Sequence, residues 1–175
     1  VDGRLTRPVA HLVCNFAPPT ASTPSLLTHS DVVTLFHEFG HTLHHLLTQV
    51  DYPSVSGING VPWDAVELPS PFMENFAWPP DVLRRLSGHY ETGAALPDAL
   101  LDKLQASRVF QAGLQMLRQL EFAIFDLRLH AEFDPHDDTA IDTLLDEVRR
   151  QVAVIEQPAF NRFAHGFSHI FAGGY

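Results

Sequence analysis

Five residues constrain this chain more than any others: His37-Glu38-Phe39-Gly40-His41. On a helix, residues four apart lie one above the other on one face, with Cβ atoms about 6 Å apart, so His37 and His41 can grip one small cation between their rings. Glu38 stands beside the pair, where a carboxylate can take a proton from water held near the ion. The flanking residues support a helix, because apolar side chains recur at three-to-four spacing from Val32, Leu35 and Phe36 through Leu43, Leu46 and Leu47. Thr28 followed three residues later by Asp31 predicts a capping box, with Ser30 as a second candidate N-cap. Gly40 is the anomaly, since glycine inside a helix costs about 1 kcal/mol relative to alanine. A residue without a Cβ at that point predicts close approach by another segment.

His-Glu-x-x-His on a helix is the arrangement of zinc peptidases, in which two imidazoles and a third ligand leave one coordination position open. Candidates for the third ligand follow at a plausible distance. Glu67 and Glu74 lie seven apart on a predicted second helix from Asp64 to Phe76, hence on one face. That spacing leaves open which one would coordinate the ion and which would orient an imidazole N–H. An isolated acidic residue on a helix ordinarily faces solvent, and only the neighbouring His-Glu-x-x-His helix gives these two a role.

With those residues in view, the chain resembles the thimet oligopeptidase family of zinc peptidases, most closely its bacterial branch. The likeness is carried by His37-Glu38-Phe39-Gly40-His41, by Val55 to Ser70, by Met73-Glu74-Asn75 and by Phe167-Ser168-His169-Ile170-Phe171-Ala172-Gly173-Gly174-Tyr175, and it covers nearly the whole chain. The resemblance implies that Glu67 is the third ligand of one zinc ion, that Glu38 is the general base, and that His169 contacts the substrate or the developing oxyanion. It also implies oligopeptide substrates held in a deep channel within a helical clamshell. Members of the family are several times longer than 175 residues, and their pattern runs on past the position of Tyr175 into a tyrosine-rich segment. The chain, which begins at Val1, is therefore expected to be the metal-bearing core of a longer peptidase, weakly active or inactive by itself.

A chain of 175 residues can bury a sizeable core as one domain, residues 1–175, with no disulfide. The single Cys14 excludes an internal disulfide and agrees with a reducing, cytoplasmic location. It is read as a buried structural thiol. Neither an 18-residue apolar stretch nor a basic-then-apolar leader is visible, so no membrane span or signal peptide is expected. With 21 acidic against 11 basic residues and a formal charge of −10, the chain lacks the Lys and Arg clusters that nucleic acid or an anionic membrane requires.

The fold class expected is mainly α: a zincin-like metallopeptidase core with a short N-terminal β-strand region and the His-Glu-x-x-His helix packed in a helical bundle. Pro8 to Phe16 is the strand candidate, rich in β-favouring residues and closed by Pro18-Pro19. Residues 17–30 form a Pro/Ser/Thr linker, and residues 51–63, with Pro53, Gly57, Gly60 and Pro62, form a loop. One long helix is predicted from Pro97 to about Phe133, and an amphipathic helix from Thr139 to Ile155 with Leu144, Leu145, Val148 and Val152 on one side. His41 and His45 share the four-residue spacing but lack an adjacent base, and His44 and His45 are read as packing or polar-network residues. His165 and His169 fall in an irregular, glycine-rich segment.

Two rival readings come from other classes. Glu38-Phe39-Gly40-His41 is also Glu-x-x-His, the ligand unit of ferritin-like di-metal sites, but that site needs a second such unit and the sequence contains none. The other rival is a zinc-binding or structural core without catalysis. Oligomeric state has no signal in the sequence, although apolar surface normally covered by further chain could promote self-association.

Overall fold

In a computed structural model that describes residues 6–137 and 139–172, the chain divides into two units between Gln105 and Ala106. Among the described residues every regular element is helical. The Gly173-Gly174-Tyr175 end of the family likeness lies outside them.

In the first unit, α1 runs His29–Leu46 and begins where the capping box predicts. The Thr28 hydroxyl accepts from the Asp31 N–H at 3.2 Å, and the Asp31 carboxylate accepts from the Thr28 N–H at 2.8 Å. Two of the orphan donors at the helix start are thereby satisfied reciprocally. The expected helix over 64–76 is broken in two: α2 spans Trp63–Val66 and α3 spans Pro69–Glu74, followed by a single 3₁₀ turn, Asn75–Ala77. Proline is the reason. Pro69 and Pro71 have no N–H to donate to Ala65 and Glu67, so a continuous ladder cannot cross this segment. Then come α4, Pro80–Leu86, and α5, Asp98–Ser107, in whose last turn the boundary between the units falls.

The N-terminal strand does not form. Residues 8–16 have no regular structure, and no second extended segment among the described residues supplies a ladder for them. β-favouring composition describes a side-chain preference, whereas a strand also needs a partner for its N–H and C=O groups. The predicted 97–133 helix is likewise two helices. Residues 108–111 separate α5 from α6, Ala112–Glu132, and Gln111 sits in the left-handed region at φ 54°. No proline or glycine occupies those four positions, so nothing in the local composition marks the break.

The second unit is built on α6 and α7, Ala140–Val152, with two single-turn helices following, α8 (Phe163–Gly166) and α9 (His169–Ala172). Helix α7 buries Leu144, Leu145 and Val148, the side its periodicity assigns to the core. They pack with Phe125 of α6 and with Phe167. The Phe122 and Phe163 rings stack at 5.0 Å between centroids, and the Arg118 guanidinium lies 4.1 Å above Phe122. Beside them Glu121, only 3% exposed, accepts from Arg149 at 2.9 Å and from Arg118 at 2.7 Å. A buried carboxylate requires such pairing.

Candidate metal centre

The packing of α1 on α3 makes the site. Gly40 is buried, and a Cβ built there would lie 2.5 Å from the Pro69 carbonyl oxygen and 2.6 Å from the Ser70 Cα. Such distances are far inside van der Waals contact, so any larger residue would force the two backbones apart. The close approach predicted from Gly40 is therefore real, and the segment that approaches is the one carrying Glu67.

The consequence is a cluster. His37 and His41, one turn apart on α1, have ring centroids 5.1 Å apart. Glu67, in the residue pair that separates α2 from α3, places Oε2 3.2 Å from His37 Nε2 and 3.1 Å from His41 Nε2. One ligand atom from each of the three falls within 4.8 Å of the others. Glu74 is placed differently, with its Oε1 2.7 Å from His37 Nδ1. In the neutral ring that carboxylate selects the tautomer carrying hydrogen on Nδ1, which leaves the Nε2 lone pair on the Glu67 side. The alternative left open by spacing thus separates in space: Glu67 joins the imidazole pair, and Glu74 stands behind His37. His41 Nδ1 is buried and, among the described residues, has no hydrogen-bond partner.

Two further features shape the surroundings. The Ser70 hydroxyl donates to Glu67 Oε2 at 2.7 Å and to the Glu67 carbonyl at 3.0 Å. That hydrogen bond, assisted by His41 and His37, holds the Glu67 carboxyl below the ordinary carboxylate range against the opposing effect of burial. Glu38 lines a cavity of about 260 Å³ together with His41, Val9, His11, Leu12 and Ile58. Half-buried Cys14 has its thiol pushed up by burial and by the Glu38 charge. His45 accepts from the Ile58 N–H at 3.4 Å, and Gly57, at φ +63°, passes so close that a Cβ would meet His45 Nδ1 at 2.5 Å. The 51–62 loop is pinned to α1 by that contact and to the segment just after it by Thr48, which accepts from the Gly57 N–H.

His169 belongs to the second unit, exposed at the start of α9, so its assignment stays with the family resemblance. Ser70 carried no weight in the sequence reading. Its signal is the proline that follows: Pro71 deprives the Glu67 carbonyl of its helical donor, and a serine between them can replace it.

Three neutral-or-anionic donors converging on one point, with an acceptor fixing the tautomer behind one imidazole, is a donor set suited to a divalent ion that takes nitrogen and oxygen ligands. Comparison with known proteins gives the family. Residues 2–175 match the profile of Peptidase family M3. The chain belongs to peptidase family M3. Its resemblance to thimet oligopeptidases is borne out within that family. Oligopeptidase A of Salmonella typhimurium is 59% identical over 174 residues, 99% of this chain and 26% of that protein. Oligopeptidase A of Haemophilus influenzae is 55% identical over 175 residues, all of this chain and 26% of its own. Dipeptidyl carboxypeptidase of Escherichia coli is 42% identical over 173 residues, 97% of this chain and 25% of its own. The chain thus spans about a quarter of the length of these curated relatives. No helix among the described residues is long and apolar enough to cross a membrane.

Proposed function

We propose that residues 1–175 form a single catalytic core of a zinc-dependent oligopeptidase, in which His37, His41 and Glu67 hold one zinc ion and Glu38 is the general base. The observation that carries the reading is the convergence of one ligand atom each from His37, His41 and Glu67 within 4.8 Å. Membership of family M3 supports peptide-bond hydrolysis, and the names of the relatives support oligopeptides as the substrate class. When bound, zinc lowers the pKa of water to about 7 and polarises a carbonyl. Glu38, one residue from His37 and facing the cavity, accepts the proton of the attacking water and delivers it to the leaving amine. Glu74 orients His37 through Nδ1. His169, on the family resemblance, contributes a hydrogen bond to the oxyanion.

Replacing Glu38 by Gln tests the base role directly. In the full-length enzyme Glu38→Gln is expected to keep one zinc while hydrolysis of a quenched fluorescent oligopeptide falls by about 10²–10⁴-fold. Loss of zinc in parallel with activity contradicts that role. A second reading is a zinc-binding or structural core without turnover. Stoichiometric zinc in the wild-type chain with no hydrolysis selects it.

A further inference from the structure

Resting on the zinc reading above, we propose that Ser70 is a positioning residue, whose hydroxyl holds the Glu67 carboxylate in place as the third metal ligand. Glu67 has a largely exposed side chain, 58% accessible, on a residue that belongs to neither α2 nor α3. A glutamate so placed has several torsions to fix before it can coordinate an ion. Ser70, by contrast, is 0% exposed. A buried hydroxyl must find acceptors, and both that it finds belong to Glu67: the carbonyl at 3.0 Å and Oε2 at 2.7 Å.

The carbonyl contact has a local explanation, because Pro71 cannot donate to Glu67 across the start of α3. The shorter contact does not. It falls on the same oxygen that lies 3.1 and 3.2 Å from the two imidazole nitrogens. On its other side Ser70 meets α1: the Cβ that Gly40 lacks would stand 2.6 Å from the Ser70 Cα. Gly40 lies between His37 and His41 on the same helix. One buried residue therefore touches the backbone that carries two ligands and grips the carboxylate of the third. The two halves of the ligand set are tied at a single point, and the tie ends in a hydroxyl that alanine removes without adding bulk.

The test compares Ser70→Ala with wild type in two measurements on the 175-residue chain: zinc affinity by competition with a chromophoric chelator, and helix content and denaturant stability of the metal-free form. The expected result is retained metal-free structure with zinc bound about 10–100-fold more weakly. In a Glu67→Gln background the same replacement is expected to change affinity by no more than about twofold, since the carboxylate it acts through is gone. Unchanged affinity in Ser70→Ala overturns the proposal. So does loss of helix in its metal-free form, which assigns the hydroxyl to folding alone, or an undiminished effect in the Glu67→Gln background. Failure of the zinc reading looks different: wild type binds no zinc, or His37→Ala binds it as tightly as wild type, and the role of Ser70 falls with it.

Discussion

Among the described residues, those buried in the first unit are Gly40, Ser70, Ala77, Leu83 and Leu101, three of them among the smallest side chains, whereas the second buries Phe125, Leu144, Leu145, Val148 and Phe167 beside the paired Glu121. The contrast separates two ways of holding a chain. The second unit gains its cohesion from apolar volume, with stacked phenylalanines and a carboxylate clamped by two arginines. The first brings two backbones into contact through glycine and serine, and what that contact fixes is the placement of the His37, His41 and Glu67 side chains. Precision of a metal site comes from such supporting contacts more than from the amount of buried surface. Damage to the second unit should therefore register as lost stability, and damage to the α1–α3 contact as lost metal geometry.

Phe125→Ala probes the first half of that contrast and carries the largest expected effect. Phe125 is 1% exposed at the centre of the second core, and its truncation should cost about 3–5 kcal/mol in denaturant unfolding. Zinc affinity of the molecules that remain folded should stay unchanged. A weakened metal site in that variant would erase the distinction. Gly40→Ala tests the other half: the added methyl has no room against Pro69 and Ser70, so about 1–3 kcal/mol of stability should be lost. Here zinc affinity, followed by chelator competition, should fall as well, because relief requires moving the segment that carries Glu67. Stability lost with affinity intact would show that the contact supports the fold only. Thr28→Ala is the smallest perturbation. Removing the capping hydroxyl should cost about 1 kcal/mol, seen as a lower unfolding midpoint, and leave zinc binding within twofold.

What could be read from the sequence follows the range of the interactions involved. The start of α1 was legible because a capping box is local: Thr28 and Asp31 satisfy each other within one turn. The buried face of α7 was legible because its period repeats over three turns. Gly40 announced a close approach but could not name the approaching segment, since that lies about thirty residues away at Pro69 and Ser70. Proline at 69 and 71 should have divided the 64–76 helix. The seven-residue spacing of Glu67 and Glu74 hid it, and the helix break is what turns the two carboxylates to different sides of His37. The strand over 8–16 failed for want of a partner, which composition does not supply. The break at 108–111 rests on a left-handed Gln111, a conformation that glutamine does not advertise. Among site residues, His37, His41, Glu67 and Glu74 were visible as chemistry, while Ser70 became visible only through what it touches.

The central claim is that α1 and the α2–α3 junction together hold zinc. Elemental analysis of the untagged chain, purified in parallel with His37→Ala and Glu67→Ala, addresses it most directly. The account predicts one zinc per wild-type chain and none in either variant. A wild-type chain that takes up no zinc when supplied in excess, or variants that keep it, would contradict the account.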